Sequence, residues 1–291
     1  MKVAVFGANG FIGRAVTHEM RGAGHDVVEG TDSITGESVD LLNQDAVTAY
    51  LHDTKPEVII NCAGVVAGGD FENNVRFTKD ILNGVKQADI DVKRVIVTGS
   101  AGEYGQVSHL PVSEDTELNA TSAYAVSKIK EEQTALGLAE ETDTSVVVAR
   151  VFNPLGPGMH ERFLVSGLLK QIRAIKDGQA DHIEISRLDA ARDYLAVSDT
   201  AVAFRLLAEG EPREKVYNIG SGVSSTNGQL LDLLLAGSTL EKRPEIVETM
   251  SDPEPQTASQ ADVSRIEQEF GWRPSKSLPR IIEEIINAST K

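Results

Sequence analysis

Cysteine is nearly absent: Cys62 is the only one in 291 residues, so no disulfide can form within the chain and a reducing cytosol is the expected compartment. No apolar run approaches the roughly 20 residues of a membrane span. Val3-Ala4-Val5-Phe6 is too short for a signal peptide and runs straight into glycine. Positive charge is also scarce. Lys and Arg number 28 against 44 Asp and Glu, a formal net charge of −16, which leaves no basic surface for nucleic acid. A few local arginines can still hold a small anion. The six histidines, His18, His25, His52, His109, His160 and His182, include no pair at i, i+3 or i+4, so no metal site is expected. Internal repeats and low-complexity tracts are missing too.

What is present is alternation. Lys2–Phe6, Asp26–Glu29, Val58–Cys62, Val95–Thr98 and Ser145–Ala149 are short runs rich in valine and isoleucine, as suits parallel strands buried on both faces. Between them Ile12–Gly22, Asp45–Asp53, Asn73–Ala88 and Ala123–Glu140 carry helical spacing. Alternating β and α over this length predicts an α/β fold, a parallel sheet doubly wound with helices. After Arg150 the rhythm changes. A loop rich in proline and glycine at 153–158 precedes a predicted helix at 163–176, a strand at 182–185 and a helix at 198–209. A strand at 216–219, a helix at 228–235, an acidic proline-rich segment at 244–255 and a last helix at 278–287 follow. The organisation expected is a dinucleotide-binding domain of residues 1–150 plus about 187–212. A smaller, discontinuous substrate domain takes 151–186 and 213–291.

Gly7-Ala8-Asn9-Gly10-Phe11-Ile12-Gly13 joins the first strand to the first helix. Glycines there permit a tight turn, and the helix N-terminus offers free N–H groups and a positive dipole end to a pyrophosphate. About 20 residues on, Asp32 is placed to bind the adenosine ribose hydroxyls, with no basic neighbour to favour a 2′-phosphate, so NAD(H) is preferred to NADP(H). Glu29 is the competing acid but falls within the strand. Further along, Tyr124 and Lys128 are four apart on a predicted helix, about 5–6 Å apart at Cβ. An ammonium that close favours the phenolate, which makes Tyr124 a usable proton donor or acceptor.

With these segments in place, the chain resembles the extended branch of the short-chain dehydrogenase/reductase superfamily, the NAD-dependent epimerase/dehydratase family of nucleotide-sugar enzymes. The resemblance runs nearly end to end. It is carried by Gly7–Gly13, Asp40-Leu41 counted after a third strand, Asn61-Cys62-Ala63-Gly64 after a fourth and Thr98-Gly99-Ser100 closing a fifth. Ser100-Ala101-Gly102-Glu103-Tyr104-Gly105, Tyr124–Lys128 and Arg150-Val151-Phe152-Asn153-Pro154 continue it. Arg192-Asp193-Tyr194, Tyr217–Gly222 and Phe270-Gly271-Trp272-Arg273-Pro274 complete it. The resemblance implies a Rossmann-type fold, NAD(H) or NADP(H) as cofactor, a nucleotide-diphosphate sugar as substrate, and a homodimer formed through the helices 73–88 and 123–140. It implies that Tyr124 is the acid/base, that Lys128 holds the nicotinamide ribose and lowers the tyrosine pKa, and that Ser100 hydrogen-bonds the reacting oxygen. Thr98 competes with Ser100 for that role. Gly7, Asn9, Gly10, Phe11, Ile12, Gly13, Asp32, Asp40, Leu41, Cys62, Ala63, Gly64, Thr98 and Val151 then line the cofactor. Asn153 and Arg192 meet the substrate, although Asn153 could instead organise the Pro154 loop and Arg192 could pair with Asp189 or Asp193. Cys62 sits where the family has mostly apolar or small residues and reads as a small buried hydrophobe.

Within the family, dehydratases need an Asp-Glu pair directly after the serine or threonine. Here those positions are Ala101 and Gly102, with Glu103 displaced by one, so dehydration is not expected. The stretches 150–158 and 188–194 resemble the reductases of GDP-4-keto-6-deoxymannose. The expected reaction is reduction of the 4-keto group of a nucleotide-linked 6-deoxysugar. Pro154 departs toward the epimerases, which keeps a 4-epimerase with tightly bound NAD as the alternative. A non-catalytic dinucleotide-binding regulator is the distant one.

Overall fold

Runs of valine and isoleucine become the middle of the molecule. A computed structural model describes residues 1–30, 38–141, 144–250 and 258–289. In chain order the first elements are β1 (Lys2–Phe6), α1 (Phe11–Gly22), β2 (Asp26–Glu29), α2 (Gln44–Thr54), β3 (Val58–Asn61) and α3 (Glu72–Ala88). Then come β4 (Arg94–Ser100), a single 3-10 turn at Ala101–Tyr104, α4 (Ala123–Ala139) and β5 (Ser145–Val151). The second half comprises β6 (Pro154–Leu155), α5 (Leu164–Lys176), β7 (His182–Ile185), β8 (Ala191–Asp193), β9 (Leu195–Ala196) and α6 (Val197–Glu209). It closes with β10 (Val216–Ile219), β11 (Ser224–Thr226), α7 (Asn227–Ala236), β12 (Glu245–Glu248), α8 (Ser264–Phe270) and α9 (Leu278–Ser289).

Six strands form one parallel sheet in the order β2-β1-β3-β4-β5-β10. Because side chains alternate along a strand, each run supplies two cores. Val3, Val5, Val58, Ile60 and Ile96 pack with Val16 and Met20 of α1 and Phe204 and Leu207 of α6. Ala4, Phe6, Ile59, Val95 and Val97 pack on the other face with α2, α3 and Ala135 of α4. Complete burial of a Val or Ile side chain contributes about 1.5–3 kcal/mol. Ile60→Ala, at a site with no exposure, should cost about 2–5 kcal/mol.

The strand order reverses between β1 and β3, because the chain leaves β1 toward β2 and returns on the other side. At such a point the crevice beyond the strands' C-terminal ends is open for a ligand. The register brings those ends level: Phe6 is opposite Asn61, Asn61 opposite Val97, and Ser100 opposite Val151.

A separate core joins α5, α7 and α9 to the β7–β12 pair through Leu168, Ile172, Leu230, Leu234, Ile281 and Ile285. Two C-terminal pieces instead join the main sheet. Val216–Ile219, expected in the substrate domain, is its sixth strand. Trp272, also expected there, lies 2% exposed in the core shared with α1 and α6, its indole N–H donating to the Asp199 carbonyl at 3.3 Å. Strand numbering also differs from expectation. Among the described residues no strand separates β2 from α2, so Asn61 ends the third strand and Thr98–Ser100 the fourth. No helix among the described residues is long and apolar enough to cross a membrane.

Candidate active site

The glycine loop folds as its composition requires. Gly7 sits at φ +73°, and a Cβ there would lie 2.5 Å from the Ala63 nitrogen. A Cβ on Gly13 would collide with the Gly7 carbonyl. Gly10 donates its N–H to Gly7 O at 2.9 Å and begins α1 with no capping side chain, so the first amide N–H groups of the helix stay open to an anion. Beside the loop a cleft of about 190 Å³ is lined by Phe6, Gly7, Ala8, Asn9, Gly30, Ser38, Val39, Leu41 and Ala63. Open helix amides next to an apolar slot fit the pyrophosphate and adenosine of a dinucleotide.

Other expected cofactor residues stand along the same rim. Asn61 closes β3, and its side-chain oxygen accepts from the Ala63 N–H at 3.0 Å. Asn74 Oδ1 accepts from Val65 N–H at 2.6 Å and would lie 3.4 Å from a Cβ on Gly64. Asp40 caps its own loop by accepting from Leu42 N–H at 2.9 Å. Phe11 opens α1, Ile12 is partly buried against the core, and Val151 ends β5 almost fully buried. Cys62 is partly exposed, with its sulfur 3.8 Å from Thr98 Oγ1. Burial pushes this thiol up to about 12, against the opposing pulls of Thr98 and Lys128. Asp32 lies outside the described residues.

Ser100 ends β4 beside the first turns of α4, which carry Tyr124 and Lys128. Ser122 caps α4 by accepting from Ala125 N–H at 3.2 Å, which sets Tyr124 in the first turn and Lys128 one turn later. Ser100 Oγ accepts from Gly102 N–H at 3.1 Å, which leaves its hydroxyl hydrogen free to donate. A Cβ on Gly102 would be 3.3 Å from that Oγ and 3.5 Å from Ala125 Cβ, so α4 abuts the Ser100 turn. Phe71 meets the Tyr124 ring edge-on at 6.0 Å between centroids. The rival hydroxyl, Thr98, donates to the Asn61 carbonyl at 2.7 Å. Lys128 is 5% exposed. Burial pulls its pKa down, but Glu131 and Tyr124 outweigh burial and the ammonium is held more firmly charged than usual.

The residues expected on the substrate side lie around Asp193. Its carboxylate accepts from the backbone N–H groups of Ser221, Gly222 and Ala261 and from the Ser221 hydroxyl, all within 2.9 Å. Arg192, on β8 opposite Ser225, donates to the Ala191 carbonyl at 2.8 Å. Asp189 is held by Arg187 at 2.7 Å. Asn153 donates its side-chain amide to the Asp193 carbonyl at 3.0 Å, the loop-organising geometry. The loop itself reaches the glycine turn: a Cβ on Gly156 would lie 3.7 Å from the Phe11 ring, and Arg14 donates to the Gly158 carbonyl at 3.1 Å.

Sequence reasoning missed a buried charge cluster beneath the rim. Arg150 donates twice to Glu132, at 2.9 and 2.6 Å, and also to Tyr104 Oη and the Glu114 carbonyl. Glu103, fully buried, accepts from the Ser100 N–H and so completes a capping box. Burial first, then the Glu132 charge, raises its pKa well above the usual carboxylate range. Lys128 is paired with Glu131, which is 1% exposed. A charge on a helix face reads as solvated unless the partner is known, and Glu132 and Glu131 find Arg150 and Thr78 on other elements.

A sequence profile of the NAD dependent epimerase/dehydratase family matches residues 3–220. GDP-6-deoxy-D-mannose reductase of Pseudomonas aeruginosa is 29% identical over 265 residues, 85% of this chain and 84% of that protein. dTDP-6-deoxy-L-talose 4-dehydrogenase (NAD(P)(+)) of Kitasatospora kifunensis is 26% identical, covering 99% of this chain and 96% of its own. The structure of RMD from Pseudomonas aeruginosa complexed with NADPH superimposes with a TM-score of 0.86 at 27% identity, over 99% of this chain and 98% of that one. The chain therefore belongs to the NAD-dependent epimerase/dehydratase family, and is an NAD(P)-dependent enzyme of the extended short-chain dehydrogenase/reductase type.

Proposed function

We propose that this enzyme reduces the 4-keto group of a nucleotide-linked 6-deoxysugar, with Tyr124 as proton donor. One observation carries the reading: the Pseudomonas and Kitasatospora relatives, aligned over 85% and 99% of the chain, are named as a reductase and a 4-dehydrogenase of nucleotide-linked 6-deoxyhexoses. The Gly7–Gly13 turn, Leu41 and Ala63 hold the dinucleotide, and Lys128 holds its nicotinamide ribose. When bound, the reduced nicotinamide supplies the hydride. Ser100 donates its hydroxyl hydrogen to the carbonyl oxygen as negative charge grows there, and Tyr124 gives up its proton to the same oxygen. Lys128 stabilises the phenolate left behind. Arg192 orients the diphosphate and Asn153 the sugar. NAD(H) is preferred to NADP(H), because the acid Asp32 has no basic neighbour. The ratio of kcat/KM for the two reduced cofactors tests that preference.

The α5, α7 and α9 core supplies most of the substrate side in this reading, and β10 and the Trp272 segment lie apart from it. A homodimer through α3 and α4 accompanies the reading, and light scattering checks it.

The test is incubation with GDP-4-keto-6-deoxymannose and reduced cofactor while the nicotinamide absorbance is followed. Stoichiometric oxidation supports the reductase. Pro154, the residue epimerases carry, favours a second reading. Interconversion of a C4 epimer pair without net oxidation, in protein that purifies with NAD, would replace the first reading by the second. Tyr124→Phe should lower turnover at least about a hundredfold while cofactor affinity holds. Turnover near wild type would refute the assigned acid.

A further inference from the structure

Tyr124, Lys128 and Glu131 are spaced i, i+4, i+7, one stripe of α4. The lysine thus has a carboxylate one turn below it, on the side away from the tyrosine. Glu131 is held from two other elements. Its second oxygen accepts from the Thr78 hydroxyl of α3 at 2.6 Å, and Thr78 in turn accepts from the Asn61 amide at the end of β3 at 2.9 Å. Glu131, Thr78 and Asn61 are all about 1% exposed.

We propose that Glu131 is a positioning residue for Lys128: its carboxylate anchors the ammonium and offsets its charge, so Tyr124 keeps its proton to higher pH than beside an uncompensated lysine. The inference rests on the roles proposed above for Tyr124 and Lys128. An ammonium has three donors, and the one given to Glu131 leaves two for ribose hydroxyls and tyrosine. A buried negative charge in direct contact acts through little water, so its effect on the neighbouring tyrosine is not screened away.

The other ionisable groups facing Lys128 are Tyr124 on α4, Glu103 in the 3-10 turn and Cys62 after β3. Glu103 faces Glu132 and Arg150 in its turn, and Thr78 on α3 is uncharged. Cys62 is neutral near pH 7, and Glu103, with its raised pKa, holds its proton in a large share of molecules. Glu131 is therefore the strongest anion on the lysine. A tyrosine kept protonated suits carbonyl reduction, which needs a proton donor. Oxidation of an alcohol, the first step of an epimerase, needs the phenolate and is correspondingly disfavoured at neutral pH. Glu131 thereby sets the pH range over which the site holds its tyrosine protonated.

The titration that tests Glu131 needs no sugar substrate, and turnover of Tyr124→Phe is followed separately. Tyrosinate absorbance is titrated in the full-length protein saturated with oxidised cofactor, and the step present in wild type but absent from Tyr124→Phe belongs to Tyr124. In Glu131→Gln that step should move down by about one pH unit, a tenfold change in the ionisation ratio. In Glu131→Asp, which keeps the charge but withdraws it by a methylene, it should move down by less. A step that stays in place or moves up in either variant overturns the proposal, and Glu131→Asp decides the matter if Glu131→Gln does not fold. If Tyr124→Phe turns over like wild type, the underlying reading fails. If Tyr124→Phe is inactive while Glu131→Gln leaves the step unmoved, only the role of Glu131 fails.

Discussion

Two neighbouring glutamates on α4 serve two buried cations in opposite ways. Glu132 holds Arg150 in a fork. With the Tyr104 hydroxyl and the Glu114 carbonyl, four donor contacts of the guanidinium are taken, and its carbon lies 5.0 Å from the centre of the Tyr104 ring. Tyr104 passes the chain on to Asn218 of β10 at 2.6 Å. A rigid planar cation with four of its five donors engaged joins elements together and has little left for a ligand. Glu131 holds Lys128, a flexible cation with donors to spare, at the rim where a cofactor ribose would lie. One residue along the helix separates a structural joint from a working one. Helix α4 is not divided into an apolar and a polar face for the same reason: the face it buries contains Lys128, Glu131 and Glu132.

The sharpest way to break this contrast is to remove each cation. Arg150→Met leaves Glu132 and Glu103 buried without their counter-charge, and unpaired buried charges cost about 3–5 kcal/mol. Urea denaturation should show that loss, with poor soluble yield. Lys128→Met should lose less stability, since Glu131 keeps Thr78, but should lower turnover at least about a hundredfold. If Lys128→Met is the less stable of the two, or Arg150→Met folds normally and fails only in catalysis, the division of labour is wrong.

A smaller effect sharpens it. Glu103 lies between the two pairs, near Lys128 and 3.7 Å from Arg150. Burial, then Glu132, raises its folded pKa from 4.5 to about 8. The folded protein therefore holds a proton that the unfolded chain releases, and stability declines as pH rises from about 4.5 through about 8. Glu103→Gln keeps an oxygen for the Ser100 N–H and removes the titration. Its Tm should fall less across that window, and above it the variant should be more stable than wild type by on the order of 2 kcal/mol. Parallel Tm curves would show that Glu103 stays ionised.

Which parts were legible in the sequence follows the same line. β1, β2, β7 and β10 lie where the apolar runs predicted, and most helices agree to within a residue or two, because alternation and capping are local. The placing of Tyr124 and Lys128 one turn apart on α4 was legible because helical spacing carries it. The short strands β6, β8, β9, β11 and β12 were not. Each is two to four residues long and exists by pairing with a distant partner, as Glu245–Glu248 does with His182–Ile185. α8 was missed as well, seven residues whose docking depends on Ile266 and Trp272 reaching the core under α1 and α6. Glu131, Glu132 and Glu103 were not picked out as buried, since nothing local reveals that Thr78, Arg150 and the end of β4 will close over them. For Asn153 the motif suggested a ligand but not the bond its side-chain amide makes to the Asp193 carbonyl.

The smallest expected effect concerns Cys62, which shares the rim with Lys128 but carries no charge there. Burial has pushed its thiol up to about 12, so at neutral pH it is a neutral group beside the Thr98 hydroxyl and a poor nucleophile. Cys62→Ala removes one sulfur from a partly exposed site and should change stability by no more than about 1 kcal/mol and kcat/KM by less than about twofold. Iodoacetamide should label the native protein far more slowly than the urea-unfolded one. The variant also bears on the two glutamates. A neutral neighbour adds no charge to the lysine, so the tyrosinate step that Glu131→Gln lowers should stay in place in Cys62→Ala. Were it to move as far, the lysine would be responding to any change at the rim, and Glu131 would lose its distinction from the groups around it.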